Sequence, residues 1–153
     1  MKATAYLFLP LFMLALFSSS LYAQEKDKSL AASSLETDFS DRQAIIKTTE
    51  NFFIGDHTGS IKHKKLSMHE KGAYRYVNRA GEYSEGIFDL ESDDADTSYK
   101  EELLSIEIYG QLALVRLRLA ELTGGAHYKL LTMHKVGGDW KITTITWGSK
   151  ITQ

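Results

Sequence analysis

The sequence contains no cysteine. Disulfides, thiol nucleophiles, lipid attachment through cysteine and cysteine-based zinc or iron–sulfur sites are therefore excluded. A domain without disulfides is held by its core alone. Long apolar runs are also scarce. Ala5–Phe17 is apolar apart from Pro10 and falls short of the roughly 20 residues a bilayer span needs. No later segment does better. Neither sign of charge dominates: 18 Lys and Arg stand against 20 Asp and Glu, a net charge of -2. No global basic field exists to attract nucleic acid, so none is expected as a partner.

What is present begins with a basic start at Lys2, the short apolar run, and then Ser18, Ser19, Ser20, Leu21, Tyr22 and Ala23. These are the parts of a secretory signal peptide. Cleavage is expected after Ala23, which sends the mature chain to the periplasm or outside a bacterial cell, with no membrane attachment left. The alternative is an uncleaved anchor. Residues 24–38 are polar and aperiodic and read as a flexible leader. The length of 153 residues sets a prior of one domain, expected over residues 39–150.

That domain opens with a helix expected over 41–54. Ser40 and Gln43 have the spacing of a capping box, and Asp41 adds negative charge to the first turn. Ile45, Ile46, Thr49, Phe52 and Phe53 form one apolar stripe, and Gly55 is expected to end the helix. A second, shorter helix is expected over 59–67, with Thr58 as its N-cap and Lys62, Lys64 and Lys65 on its basic face. From Gly72 the apolar period becomes two. Strands are expected over 73–77, 83–88, 101–109, 112–122, 127–136 and 140–147, with an acidic loop over 89–98. In the third strand Leu104, Ile106 and Ile108 are expected on one face. In the fourth, Ala113, Val115, Leu117 and Leu119 oppose Arg116 and Arg118. Glycine-bearing turns between the last strands signal hairpins, hence a meander. In the final strand Ile142 and Ile145 fall on opposite faces, which a bulge near Thr143 or Thr144 reconciles. Both faces of strand 127–136 carry apolar residues, so either His127 or His134 can point inward. Helices followed by strands give α+β, with the helical stripe covering one sheet face.

These pieces resemble the nuclear transport factor 2-like superfamily, and most of all its exported members called "putative lumazine-binding" or SnoaL-like. Asp41–Phe53 (DRQAIIKTTENFF) resembles the first helix of the family. Gly59–His69 (GSIKHKKLSMH) resembles its small second helix leading to a Leu and then a His. Tyr109–Ala113 (YGQLA) resembles the turn into the first long strand, and Lys135–Ile142 (KVGGDWKI) the closing hairpin. The extra residue in Val136–Asp139, and Glu70 where a proline is common, depart from the pattern. The resemblance implies a cone-shaped fold of the cystatin-like class, with N-terminal helices packed on a curved antiparallel sheet around an apolar cavity. It does not imply flavin or lumazine binding, and no cofactor is expected.

Enzymes of the superfamily use an Asp, Glu or His in the cavity as acid or base, often with a Tyr. A base in an apolar pocket has its pKa moved toward working pH by desolvation. The catalytic candidates are His69, Asp56 and Tyr76, with His57 and His134 behind them. The ligand-lining candidates are Phe53, His69, Tyr76, Tyr109 and Trp147, within an aromatic supply that includes Tyr74, Tyr83, Phe88 and Tyr128. Each has an ordinary structural alternative: a corner histidine, a turn aspartate, a cross-strand aromatic pair. Metal binding fails on spacing, because His57, His63 and His69 are not on one helical face. The acidic loop lacks the glycine and terminal Glu of a calcium loop. Three functions remain: a non-catalytic module for a small apolar or aromatic molecule, an acid–base isomerase, dehydratase or cyclase using His69, and a homodimeric module pairing through the sheet.

Overall fold

A computed structural model describes residues 38–78, 80–121 and 126–148. The signal peptide expected over 1–23 and all of the expected 24–38 leader except Asp38 lie outside the described residues. Helix α1 covers residues 38–58 and so is longer than expected at both ends. Asp38, assigned to the leader, is already helical, and Ser40 lies inside the helix rather than at its cap. Gly55 does not end it. That glycine is buried where a Cβ would stand 2.9 Å from the backbone nitrogen of Lys64, so it is a point of close approach. The break comes at Gly59, whose φ of +66 is a conformation that side chains with a Cβ resist. A Cβ there would also fall onto the carbonyl oxygen of Asp93.

Helix α2 runs Ile61–Ser67. Its N-cap is Ser60, not Thr58, which closes α1 by donating its hydroxyl to the Ile54 carbonyl at 2.6 Å. The basic face of α2 is engaged. The Lys64 ammonium donates to the carbonyls of Ser92 and Asp94 at 2.8 and 3.1 Å, and Lys65 pairs with Glu91 at 2.5 Å. Both lysines thus tie down the acidic loop.

Six strands follow: β1 Met68–Val77, β2 Tyr83–Ile87, β3 Tyr99–Tyr109, β4 Leu112–Glu121, β5 Ala126–Val136 and β6 Asp139–Gly148. They form one sheet in the order β2-β1-β6-β5-β4-β3. All neighbours are antiparallel except β1 and β6, which run parallel. The final strand therefore sits inside the sheet between β1 and β5 rather than closing it. Hairpins β3–β4, β4–β5 and β5–β6 form the expected meander.

Three slips in register bend this sheet, because an extra residue on one strand kinks it and raises its twist. One lies between Met68 and Ala73 of β1. Another lies between Leu103 and Ser105 of β3. In the third, Thr132 and Met133 of β5 face Thr144 and Ile142, leaving Thr143 of β6 as the extra residue. This is the bulge that the split between Ile142 and Ile145 required, and both side chains are fully buried. The slip in β3 overturns the phasing expected there. Leu104 is the extra residue and is 40% exposed, while Leu103, Ile106 and Ile108 pack on the core.

The core lies between α1 and the hollow face. Ile45 and Phe52 of α1 are buried with Ala113, Val115, Leu117 and Leu119 of β4, Leu131 and Met133 of β5, and Trp140, Ile142 and Ile145 of β6. Polar ties fix the helix in place. Thr48 donates to the Trp140 carbonyl at 3.1 Å. Asp41 accepts from the Lys135 ammonium at 2.6 Å and from the Trp140 indole at 3.1 Å. The bond from Lys135 holds the Asp41 carboxyl below its ordinary value, against the opposing effect of burial.

Two outcomes follow. Ile45→Ala should destabilise the domain by about 2–5 kcal/mol in urea unfolding, the range for truncating a buried aliphatic side chain. Asp41→Asn should cost about 1–3 kcal/mol at neutral pH. A depressed folded pKa gives stability that is present above the unfolded value of 3.8 and lost as pH falls through the folded one. The gap between Asp41→Asn and the parent chain should therefore close in acid, and a gap independent of pH would exclude the ion pair as its source.

Candidate functional site

Directly opposed residues on paired strands share a face. Tyr76 of β1 opposes Trp147 of β6, Trp147 opposes Lys129 of β5, Lys129 opposes Leu117 of β4, and Leu117 opposes Leu103 of β3. Leu117 is fully buried on the hollow face, so this entire row faces the hollow. The next row holds Glu101, Leu119 and His127, with Leu119 again fully buried. His127 is thus the inward histidine of β5. His134 is exposed on the outer side and contacts the Thr143 hydroxyl at 2.8 Å.

One half of the row is aromatic. The Tyr76 and Trp147 rings stack with centroids 4.5 Å apart and planes 5° from parallel. Tyr74 meets Trp147 and Phe88 edge-on at 5.8 and 4.8 Å. The other half is polar, built where the C-terminal turn of α1 meets β3 and β5. The Tyr99 phenol donates to the Asp56 carboxylate. The Lys129 ammonium donates to the Tyr99 oxygen at 3.2 Å and stands 3.7 Å from Asp56. It also lies over the Tyr99 and Phe52 rings, 4.8 and 5.7 Å from their centroids, where the ring quadrupole favours a cation. Beside this, His57 bridges the Asp96 carbonyl at 2.7 Å and one oxygen of Glu101.

The electrostatics follow from burial and these partners. Burial and the bond to Asp56 raise the Tyr99 phenol far above its ordinary value, so it stays protonated and donates. Burial, with the charges of Asp56 and Asp89, pushes the Tyr74 phenol up to about 12. Burial alone would lower His57, but the Glu101 carboxylate, the Asp96 carbonyl and the charge of Asp56 outweigh it and raise it. The site therefore offers flat apolar walls beside a clustered set of fixed dipoles and paired charges, the usual make-up of a small-molecule site.

The expected residues separate. Asp56, Tyr76 and Trp147 come together on the hollow face, with Phe53 partly buried against the core and its ring centroid 5.9 Å from that of Phe52. Tyr109 does not join them. It is 59% exposed and donates to Glu107 at 2.8 Å, on the face of β3 opposite Ile106 and Ile108. His69 also lies elsewhere, in a groove of about 630 Å³ shared with Lys65, Met68, Phe88, Leu90, Val136 and Lys141. Its Nδ1 accepts from the Lys71 backbone N–H at 3.1 Å, so a neutral His69 carries its proton on Nε2 and presents a donor.

Reading the sequence overlooked Tyr99, Glu101 and Lys129. Phasing β3 on Leu104 puts odd-numbered Tyr99 and Glu101 outside, and only the unforeseen slip at Leu104 turns them inward. Lys129 was hidden because Tyr128 and Leu130 make the other face of β5 look equally apolar. Among the described residues no group of three or more His, Asp or Glu side chains is arranged to hold a metal ion, and no helix is long and apolar enough to cross a membrane.

Known proteins share this architecture. An NTF2-like protein of unknown function from Shewanella baltica OS155 superposes with a TM-score of 0.64 at 14% identity, covering 74% of this chain and 97% of its own. One from Silicibacter pomeroyi DSS-3 gives 0.59 at 15%, covering 72% and 96%. The association domain of C. elegans CaMKII gives 0.52 at 15%, covering 74% and 99%. No curated protein matches the chain. The profile of the family described as "Putative lumazine-binding" matches residues 40–148. Among the described residues that span takes in α1 from Ser40 onward, α2 and strands β1 to β6; the chain has the fold of the NTF2-like structures and belongs to the family described as "Putative lumazine-binding".

Proposed function

We propose that this chain is an exported, non-catalytic small-molecule-binding domain. Its ligand lies on the hollow face, with a flat apolar body against Tyr76 and Trp147 and a polar edge toward Asp56, Tyr99 and Lys129. The observation that supports this reading is the cross-strand row itself. It brings a stacked aromatic pair and a partly buried charged cluster side by side on the face that α1 covers. A purely structural core gains nothing from burying Lys129 and Asp56, since paired charges seldom repay their desolvation.

Native mass spectrometry of the purified protein should show a bound compound, or uptake of one from a metabolite mixture. Trp147→Ala should weaken that binding about tenfold or more, as loss of an aromatic anchor does. Equal retention by the variant would remove the site from the hollow face. Expressed in a bacterium with its own leader, the protein should be recovered from the periplasm or medium starting at Gln24. Recovery of a chain that retains Met1 in the membrane fraction would favour the anchor.

A second reading concerns assembly. Tyr128 and Leu130 are 57% and 39% exposed and lie next to each other on the outer side of β5, a strand inside the sheet, and adjoining exposed apolar side chains can mark an interaction surface. The CaMKII association domain shares the fold, and a homodimer through the outer sheet face is the arrangement this patch suits. Sedimentation should show a dimer that Tyr128→Asp with Leu130→Asp dissociates. A monomer at high concentration would end this reading.

A further inference from the structure

Glu101 is the odd member of the polar cluster. Its side chain is 5% exposed, yet only one carboxylate oxygen has a partner. Oε2 meets His57 Nε2, and Oε1 is buried with no hydrogen bond at all. An unmet buried acceptor costs about 1–3 kcal/mol, more on a charged group. Natural cores rarely keep one without a use.

His57 settles what kind of group can meet it. The Asp96 carbonyl can only accept, so the 2.7 Å contact at Nδ1 requires a proton on Nδ1. The second contact, from Nε2 to Glu101, then contains one proton shared between imidazole and carboxyl. Whichever side holds it, the pair is neutral in sum. Asp56 and Lys129 cancel likewise at 3.7 Å. Glu101 therefore has its own charge met by the proton it shares with His57, and what it lacks is an N–H or O–H at Oε1; the Asp96 carboxylate, bonded by Ser98 N–H and O–H, is the negative charge left nearby.

We propose that Glu101 selects the ligand of this site, and that the ligand is a neutral planar molecule presenting an N–H or O–H donor to Oε1. This rests on the hollow-face site proposed above. Glu101 shares its row with Leu119 and His127, next to the row of Lys129 and Trp147. A flat molecule lying against the Tyr76–Trp147 pair thus extends its far edge toward β3. Oε1 is sealed from solvent before binding, so a side chain must move to admit the donor. Lys129, with the most torsions in the cluster, is the one that can move at least cost while the rings keep their places.

The test uses a matched pair of probes, indole and benzothiophene, which share a shape and differ in the N–H. Their affinities for the full mature chain are measured by NMR titration, together with benzamidine as a cation. Indole should bind about tenfold tighter than benzothiophene, the worth of one hydrogen bond to a charged acceptor, and tighter than benzamidine. The indole N–H resonance should move downfield on binding. Glu101→Met should bring the indole-to-benzothiophene ratio near one while Trp147-dependent binding of both persists. Equal binding of the two bicyclic probes by the parent chain, or a preference that survives Glu101→Met, overturns the role of Glu101 and leaves the hollow-face site standing. A stronger response to benzamidine overturns the neutral class. Binding of neither bicyclic probe, or binding indifferent to Trp147→Ala, overturns the site reading itself. Should Glu101→Met not fold, the probe ratio and the indole N–H shift in the parent chain still decide.

Discussion

The arrangement of this protein depends on a single extra residue, Thr143 in β6. Side chains alternate along a strand, so a slip of one residue sends everything beyond it to the other face. Before the slip, Trp140 and Ile142 face the hollow; after it, Ile145 and Trp147 do. Without the slip, Thr144 and Thr146 would occupy the hollow face instead. The core would lose Ile145 and the row would lose Trp147. The bulged residue is itself secured: its hydroxyl donates to the Thr132 carbonyl at 3.2 Å and meets His134 at 2.8 Å. With that hydroxyl proton spent on Thr132, His134 Nδ1 is the donor of the second bond. A polar pin on the outer side thereby sets the facing of the inner one.

The bend made by the three slips gives α1 its place. A flat sheet would meet a straight helix along a line, whereas a concave one receives Ile45 and Phe52 together with Thr49. Asp41 and Thr48 hold the helix against the β5–β6 hairpin through Lys135 and Trp140. Gly55 and Gly59 let α2 and the acidic loop close on its other end. The helix is pinned by polar groups at the β5–β6 hairpin and ends among polar groups where the site lies. Asp56 and His57 reach the sheet because α1 runs to residue 58 and does not stop at Gly55.

Much of this was legible in the chain. The apolar stripe of α1, the clean alternation of Ala113 to Leu119, the glycine turns and the conflict between Ile142 and Ile145 all report local constraints, and they led to the fold. The site was half legible. Asp56, Tyr76 and Trp147 were named, but Tyr99 and Glu101 were not, because alternation carries no mark of where a strand slips. Leu104 keeps the period of Ile106 and Ile108 while Leu103 breaks it, and only the pairing with Arg116 and Leu117 across the β3–β4 ladder turns Leu103 inward. Gly55 misled for a related reason. A glycine at a helix end and one at a helix contact look alike until the second helix is in place.

The charged cluster is where physical cost and use meet. Lys129 and Asp56 are 13% and 23% exposed along their side chains, and Glu101 is deeper still. Leucine and phenylalanine in these positions would fill the space with no desolvation to offset. Sequences that depart from the best choice for stability do so mostly at functional sites. Asp56 Oδ2, the Tyr99 hydroxyl and the Lys129 ammonium are partners of one another. Among the described residues Glu101 Oε1 is the buried side-chain oxygen left without a hydrogen bond. A buried acceptor left open at that cost is accounted for by the donor proposed for it, and the aromatic row beside it supplies the flat surface that would hold the rest of such a molecule.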